Sequence, residues 1–323
     1  MLFNSIEFVF FLPTVFVLYW FVFKRLKAQN LFVVAASYLF YGWWDWRFLM
    51  LIALTTVCSY ASGLLLRHYE SRSRRLAVLW CNVGLNLGIL AAFKYFNFFS
   101  HSFAALFRPL GITFDALTLD LILPVGISFY TFQALSYSID VYRRKIEPTR
   151  DATAFFAFIS FFPQLVAGPI ERATNLLLQF LRPRRFDYAA AVDGGRMILL
   201  GLFKKMVVAD NCAAAVNSVF GNYLNEGGGN LLLGGILFTF QIYGDFSGYS
   251  DIAIGTARLF GIDLMRNFDF PYFSRDIAEF WRKWHISLTT WFRDYIYIPL
   301  GGSRCAKSKV SLKGRNPLRD ESL

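Results

Sequence analysis

The chain has 323 residues, of which 56% are hydrophobic and 19% aromatic, and its formal net charge is +11. Charged residues make up only 17% of it, against roughly 25% in a typical soluble domain, and the apolar residues form long runs, so an ordinary soluble domain is excluded. Most of the basic excess lies between apolar runs, where it orients membrane proteins beside lipid headgroups. Because no nucleic-acid-binding module is readable, we expect membrane lipids and not nucleic acid as partners.

The first half of the chain predicts membrane-spanning helices joined by short loops. The predicted spans are Phe8 to Phe23, Leu31 to Trp44, Phe48 to Leu66, Leu76 to Phe93 and Leu121 to Tyr137. Basic loops, including Arg67 to Arg75, alternate with a tryptophan-rich turn and a weakly charged loop from Lys94 to Asp120. The positive-inside rule therefore predicts an N-terminus outside the cytoplasm. Gly84 and Gly88, at small-xxx-small spacing, predict a helix-packing face.

Beyond residue 150 the pattern becomes less regular. Ala152 to Val166 is apolar, but Pro163 and the Gly168-Pro169 pair predict a broken or re-entrant helix, which requires protein or water over the exposed backbone. Two further spans are predicted, Val192 to Ala209 and Leu231 to Phe260, joined by a triple-glycine turn. The sequence thus predicts an all-α polytopic membrane protein over residues 1–302, followed by a polar, basic tail over 303–323 that we expect to be disordered.

Polar residues inside two predicted spans are candidates for a functional site. The stretch from Tyr243 to Asp251 contains Asp245, Ser247, Tyr249 and Asp251, and ionisable groups at membrane depth normally face a cavity or a partner. The two aspartates are six residues apart and lean toward opposite helix faces, which makes a paired-carboxylate site unfavourable. A structural role has equal weight, because Gly244 and Gly248 are also spaced for helix packing.

Gln133 belongs to a second polar stretch, together with neighbouring hydroxyl-bearing residues of the span that ends at Tyr137. Such groups either line a polar passage or form hydrogen bonds between helices, and we favour the hydrogen bonds.

His285 is the histidine best placed for chemistry. A neutral imidazole can take a proton from a hydroxyl group and return it to a leaving group, and aromatic walls keep water from a reactive acyl donor. An interfacial aromatic belt with an incidental histidine is an equally good interpretation of these residues alone. The residues predicted to support His285 lie close to it in sequence: Trp281, Trp284, Ser287, Trp291, Arg293 and Asp294.

Other kinds of site receive less support from the sequence. His68 and His101 lie in a basic loop and near a membrane interface, where solvated or interfacial roles are expected. The four cysteines are dispersed, so neither a metal site nor a disulfide framework is predicted. The absence of a phosphate-binding loop and of a nucleophile elbow disfavours ATP-driven transport and serine hydrolysis.

Four sequence blocks resemble the membrane-bound O-acyltransferase family, in its alginate O-acetylation branch. The blocks are Leu123 to Gln133, Phe162 to Ile170, Tyr243 to Asp251 and Asn267 to Gly302, the last with W-x-x-W-H-x-S-L around His285. The resemblance implies a multi-helix bundle around a central funnel in a bacterial inner membrane, with a periplasmic N-terminus. It further implies that an acetyl group from acetyl-CoA, a substrate and not a bound cofactor, moves toward an exported polysaccharide such as alginate, with a periplasmic acetyltransferase as partner.

The resemblance also assigns roles. His285 matches the first of two characteristic family histidines, and Arg293 or Asp294 would orient it. The second histidine follows some tens of residues downstream in the family, and this sequence has none after His285, so we expect a truncation or frameshift near Ser303. Two alternatives stay open: a non-enzymatic scaffold that docks a periplasmic acetyltransferase and, with less support because internal repeats are not seen, a polysaccharide-intermediate transporter.

Overall fold

The computed structural model describes residues 1–107, 124, 126–166 and 168–302, and all regular structure in these ranges is helical, which confirms the all-α prediction. Two compact units divide the chain after Asn267. The helices of the first unit are α1 (Ile6–Val17), α2 (Leu26–Gly42), α3 (Phe48–His68), α4 (Arg72–Phe107), α5 (Ile127–Tyr142), α6 (Ala152–Ser160), α7 (Phe162–Leu165), α8 (Leu178–Phe180), α9 (Tyr188–Leu202), α10 (Asp210–Gly221) and α11 (Gly228–Leu259). The predicted tail over 303–323 lies outside the described residues.

Among the described helices, α3 and α4 are long and apolar enough to cross a bilayer, and two shorter apolar stretches are Ile6–Val22 and Ala152–Leu165. The boundary between α2 and α3 agrees with the predicted tryptophan-rich turn. Asp45 stabilises this turn by accepting hydrogen bonds from the backbone and the guanidinium of Arg47 at 2.6–3.0 Å.

The predicted span Leu76 to Phe93 lies within α4, which extends beyond it at both ends, and its predicted packing face makes no close contact among the described residues. The helix begins at Arg72 and continues to Phe107, because residues 94–107 contain neither glycine nor proline and nothing in their sequence terminates a helix. Most of the predicted basic loop and the first part of the predicted outer loop are therefore helical. A Cβ atom at Gly84 or Gly88 would meet nothing within 4 Å, so these glycines make no close helix contact with the described residues. Residues 108–123 lie outside the described part of the chain.

The predicted broken helix is confirmed, and its exposed backbone groups are bound by side chains. α6 ends at Ser160 and α7 begins at Phe162. The Phe162 N–H donates to Ser37 Oγ at 3.0 Å. The Phe158 carbonyl accepts hydrogen bonds from Gln133 Nε2 at 2.6 Å and from Gln164 Nε2 at 2.9 Å. Protein groups therefore replace the hydrogen bonds that lipid cannot supply.

Gly126 also helps to hold this break. Its backbone lies in the left-handed region, with φ 77°, where L side chains are strained. A Cβ atom there would overlap the Leu165 carbonyl oxygen at the end of α7, so only glycine allows α5 to approach so closely.

Aromatic rings fill the space around α7. The ring of Phe162 lies 5.3–5.8 Å, centroid to centroid, from those of Phe11, Phe40 and Phe260. These rings come from α1, α2 and the residue that ends α11, so the short α7 is enclosed by three distant segments of the chain. Edge-to-face and tilted ring contacts of this kind add modestly to the hydrophobic contribution of burial.

A glycine-lined helical hairpin completes the first unit. α9, the π-helical turn Phe203–Ala209 and α10 form one helical stretch that packs antiparallel against α11. A Cβ atom on Gly201 would lie 2.6 Å from the Gly248 carbonyl oxygen, and one on Gly255 would lie 2.5 Å from that of Gly194. The backbones are therefore in direct contact, as small residues permit in membranes. The packing role predicted for Gly248 is confirmed.

Candidate functional site

His285 lies between two short helices of the second unit, α12 (Ile277–Lys283) and α13 (Ile286–Phe292). Each has seven residues and is about 10 Å long, too short to cross a bilayer. His285 itself has φ 44° and ψ 55°, in the left-handed region. A non-glycine residue in this conformation is strained, and such strain is concentrated at functional sites.

Charged side chains form and cap the helix that precedes His285. Asp276 caps α12 by accepting a hydrogen bond from the Glu279 N–H at 2.6 Å. Glu279 in turn pairs with Lys283 at 2.8 Å and with Arg275 at 3.3 Å. Lys283 and Arg275 lower the pKa of the Glu279 carboxyl to about 2. The predicted site is therefore preceded by an ion-paired turn.

Aromatic rings fix the residue immediately before His285. The Trp284 ring stacks on Phe280 at 5.5 Å, meets Phe268 edge-on at 5.1 Å and lies 6.1 Å from Tyr272. These contacts hold the indole between α12 and the segment that leads into it. The backbone position of His285 therefore depends on its neighbours, as expected for a pre-organised side chain.

The imidazole of His285 is half-buried, and its environment favours the neutral form. Its Nδ1 lies 3.5 Å from Ser287 Oγ, and its carbonyl accepts a hydrogen bond from the Thr289 N–H at 3.0 Å. Burial lowers the pKa of the imidazole from 6.5 to about 4. At neutral pH the ring is therefore in the form that can accept a proton.

The other predicted residues of this unit lie in different surroundings. Ser287 and Trp291 are buried, and Trp281 is exposed. The Trp291 ring lies 5.1 Å from that of Tyr295. Arg293 Nε donates to Asp294 at 2.9 Å, so these two side chains bind each other, and their role in orienting His285 stays a prediction.

The aspartates predicted in α11 are paired with lysines of the facing π-helical turn. Lys204 Nζ lies 2.6 Å from Asp251 Oδ2. Lys205 Nζ lies 2.7 Å from both Asp210 Oδ1 and Asp245 Oδ1. The two α11 carboxylates thus bind different lysines and not each other. We call these five residues the lysine–aspartate cluster.

The lysine–aspartate cluster lies midway along the hairpin. Lys205 is about 25 Å from either end of the continuous stretch Tyr188–Gly221, and both helices of the hairpin contain predicted spans. Asp210 and Asp245 are nevertheless 46% exposed. With two ammonium groups and three carboxylates, the cluster carries one excess negative charge when all five groups are ionised. Charges midway along predicted spans are costly in a bilayer and typical of a functional region.

Two tyrosines of the predicted stretch surround the cluster. The ammonium groups of Lys204 and Lys205 lie 5.8 and 5.5 Å from the ring centroids of Tyr243 and Tyr249, within the range of cation–π attraction. Ser247 lies buried on the same helix.

The sequence reasoning missed Lys204, Lys205 and Asp210. Two adjacent lysines inside a predicted span were a readable signal, because a lysine at membrane depth requires a partner. Gln133 lies elsewhere, at the helix break, where it donates to the Phe158 carbonyl and accepts from Gln164 Nε2 at 2.9 Å. Its proposed place in a funnel stays a prediction.

Comparison with known proteins shows where the similarity lies. The model of the family described as membrane-bound O-acyltransferases matches residues 143–312. The probable alginate O-acetylase of Pseudomonas aeruginosa is 42% identical over 307 residues, which are 94% of this chain and 58% of that protein. The peptidoglycan O-acetyltransferase of Helicobacter pylori is 34% identical, with coverage of 94% and 62%. The teichoic acid D-alanyltransferase of Streptococcus thermophilus is 32% identical over 54% of this chain and 44% of its own length.

The chain therefore spans about three fifths of the length of the relatives that match it over nearly all of its residues. The family match includes the helix break, the lysine–aspartate cluster and the His285 turn. The lysine–aspartate cluster and the His285 turn thus each belong to the matched region.

Proposed function

Because the chain belongs to the membrane-bound O-acyltransferase family, and is accordingly an integral membrane protein, we propose that it is the acyl-transfer component of a polysaccharide O-acetylation system. Acetyl-CoA is the proposed donor on the cytoplasmic side, and an exported polymer, alginate first, is the proposed acceptor. The observation that carries this proposal is the half-buried His285, which is held in a left-handed turn within the W-x-x-W-H-x-S-L block and whose pKa is lowered. The names of the relatives support acetyl as the acyl group.

In the proposed reaction, the hydroxyl oxygen of the acceptor attacks the thioester carbonyl. The carbon–sulfur bond breaks, an ester bond forms, and coenzyme A leaves as a thiol. His285 takes the hydroxyl proton and returns it to the departing sulfur, so protons balance without a further reactant. The aromatic rings that pack against Trp284 exclude water, which would otherwise compete with the acceptor hydroxyl for the acetyl group.

We also propose a bacterial inner-membrane location with a periplasmic N-terminus, from the distribution of basic loops. A periplasmic acetyltransferase is the proposed partner, because the acceptor is modified after export. The lysine–aspartate cluster is proposed to face a polar passage, since half-exposed carboxylates are not stable against hydrocarbon.

Acetyl transfer by the protein is the direct test. Inside-out vesicles containing the chain, with polymannuronate oligomers enclosed, receive acetyl-CoA labelled in the acetyl group. We expect alkali-labile label on the oligomers, and none in matched vesicles that lack either the chain or the acceptor. If a periplasmic partner co-purifies with the chain but acetyl-CoA is not consumed, the acyl-transfer proposal fails and a scaffold role is indicated.

The rate of transfer should depend on pH in a manner set by the lowered pKa of His285. We expect a nearly constant rate from neutral pH to about 5, followed by a decline centred near 4. An unfolded histidine takes up its proton near 6.5 and the folded one near 4, so stability is full above this window and falls as the pH drops through it. Initial rates are therefore normalised to the folded fraction at each pH, and a half-maximal rate near 6.5 would contradict a buried base.

A further inference from the structure

The last residues of the first unit are held by side chains. Residues 262–266 follow α11 without regular secondary structure, and Asn267 is the last residue before the unit that contains His285. Ile262 and Asn267 are buried, and the exposed Asp263 lies between buried neighbours. Such a segment cannot bond its own backbone, so other parts of the chain must do so.

Glu171 binds the centre of this segment. Its carboxylate is wholly buried. Oε1 accepts a hydrogen bond from the Met265 N–H at 2.5 Å, and Oε2 accepts one from Asn175 Nδ2 at 2.9 Å. Burial raises the pKa of the Glu171 carboxyl, and the hydrogen bonds oppose that rise. A fully buried carboxyl group is costly and requires such partners.

Gln179 binds the same segment one turn farther on. Its Oε1 accepts from the Asp263 N–H at 2.8 Å, and its Nε2 donates to the Asp263 carbonyl at 2.9 Å. Its Nε2 also lies 3.4 Å from Asn175 Oδ1. At the far end of the segment, Asn267 Nδ2 donates to Ser250 Oγ at 3.0 Å. Three side chains spaced four residues apart thus form a connected row along one edge of the segment: Glu171, Asn175 and Gln179. We call this row the clamp.

We infer that the clamp is a positioning device for His285, with Glu171 and Gln179 as positioning residues. The inference rests on the proposed function, because positioning has a consequence only if His285 transfers protons. The clamp fixes the backbone from which the His285 unit continues, eighteen residues before the imidazole. A displacement of about 1 Å at a reacting group can lower a rate by about 10²-fold, so a rigid anchor at this point affects the rate more than the affinity.

Exchanging the partners within the clamp tests this inference. In the original chain, the Asn175 amide donates a hydrogen bond to the Glu171 carboxylate. In Asn175→Asp, two carboxylates face each other at this place, so the clamp should open. In the double variant E171Q/N175D, the new amide nitrogen faces the new carboxylate, while the amide oxygen can still accept from the Met265 N–H. The total charge of the double variant equals that of the original chain.

We expect Asn175→Asp to lower kcat for acetyl transfer by about tenfold or more, with KM for acetyl-CoA little changed. Amide hydrogen exchange should become faster at residues 263–267 and also at 285–292. The double variant should recover both the rate and the protection. The matched control is Asn82→Asp, which changes another buried asparagine bonded to Ser138 Oγ at 2.8 Å. It should lower the melting temperature and leave kcat per folded molecule and exchange at 263–267 unchanged.

Several outcomes would overturn the positioning role. Equal losses in the single and the double variant would show that pairing in the clamp is irrelevant. Faster exchange at 263–267 with unchanged protection at 285–292 and unchanged kcat would reduce the clamp to a local contact. If the original chain transfers no acetyl group, the proposed function fails, whereas the exchange measurements still decide whether the clamp orders the His285 segment.

Discussion

Acetyl transfer should fall by a factor of about 10²–10⁴ when His285 is replaced by alanine. The substitution removes the imidazole that is proposed to accept the hydroxyl proton, and a neighbouring serine hydroxyl such as that of Ser287 is too weak a base to replace it. KM for acetyl-CoA should change little, because the loss is confined to the chemical step. The measurements are the initial rate in vesicles and the O-acetyl content of polymer from cells that express the protein.

Two controls separate chemistry from folding at this position. Asparagine adopts the left-handed conformation more readily than most residues, so His285→Asn should preserve the turn and be as inactive as the alanine variant. His68→Ala, at the exposed end of α3, should retain full activity. Acetylation that persists in the alanine variant would refute the assignment of His285.

Replacing Lys205 by methionine should produce the largest loss of folded protein. Lys205 binds Asp210 and Asp245 at the same time, so its removal leaves two carboxylates without a cation in the middle of the hairpin. An aspartate at the centre of a membrane helix costs about 2.5–3.5 kcal/mol on insertion scales. We expect a strongly reduced amount of protein in the membrane fraction and a lower melting temperature in detergent.

Neutralising the partners should reverse this effect. The triple variant K205M/D210N/D245N removes the uncompensated charge and should restore much of the folded yield, although a role of the cluster in transfer would keep its activity low. Lys27→Met, at an exposed position in the first turn of α2, is the matched control and should behave like the original chain. If Lys205→Met accumulates and melts normally, the two aspartates do not depend on this lysine.

The sequence predicted the features that depend on local patterns of residues, namely helices, a helix break and a turn. Apolar runs placed most helices, Pro163 located the break, and the tryptophan-rich turn ended α2 correctly. The partners across the fold were not readable, because contacts such as Ser37 with the Phe162 N–H and Lys204 with Asp251 join residues far apart in sequence. A polar side chain in an apolar run signals that a partner exists and does not say which residue it is.

Some predictions failed because the same sequence pattern has different surroundings in the folded chain. Gly84 and Gly88 have the same spacing as Gly244 and Gly248, yet a Cβ atom on the first pair would meet none of the described residues within 4 Å, whereas one on the second pair would meet backbone. Likewise, the block Phe162 to Ile170 resembles a family motif, but the hydrogen bond that the adjacent Glu171 accepts from Met265 is visible only in the fold. The sequence therefore singled out His285 and its aromatic neighbours as candidates, which stay predictions, and missed both the lysines and the clamp.

The lysine–aspartate cluster has a consequence for how the protein is made. Lys204 and Lys205 leave the ribosome some forty residues before Asp245 and Asp251, and only Asp210 is close behind them in the chain. A single helix with two lysines, one of them unpaired, would partition poorly from the translocon into lipid. We therefore expect the stretch Tyr188–Gly221 to remain at the translocon until α11 emerges, so that the two helices enter the bilayer together as a preformed hairpin in which each lysine already has an aspartate partner.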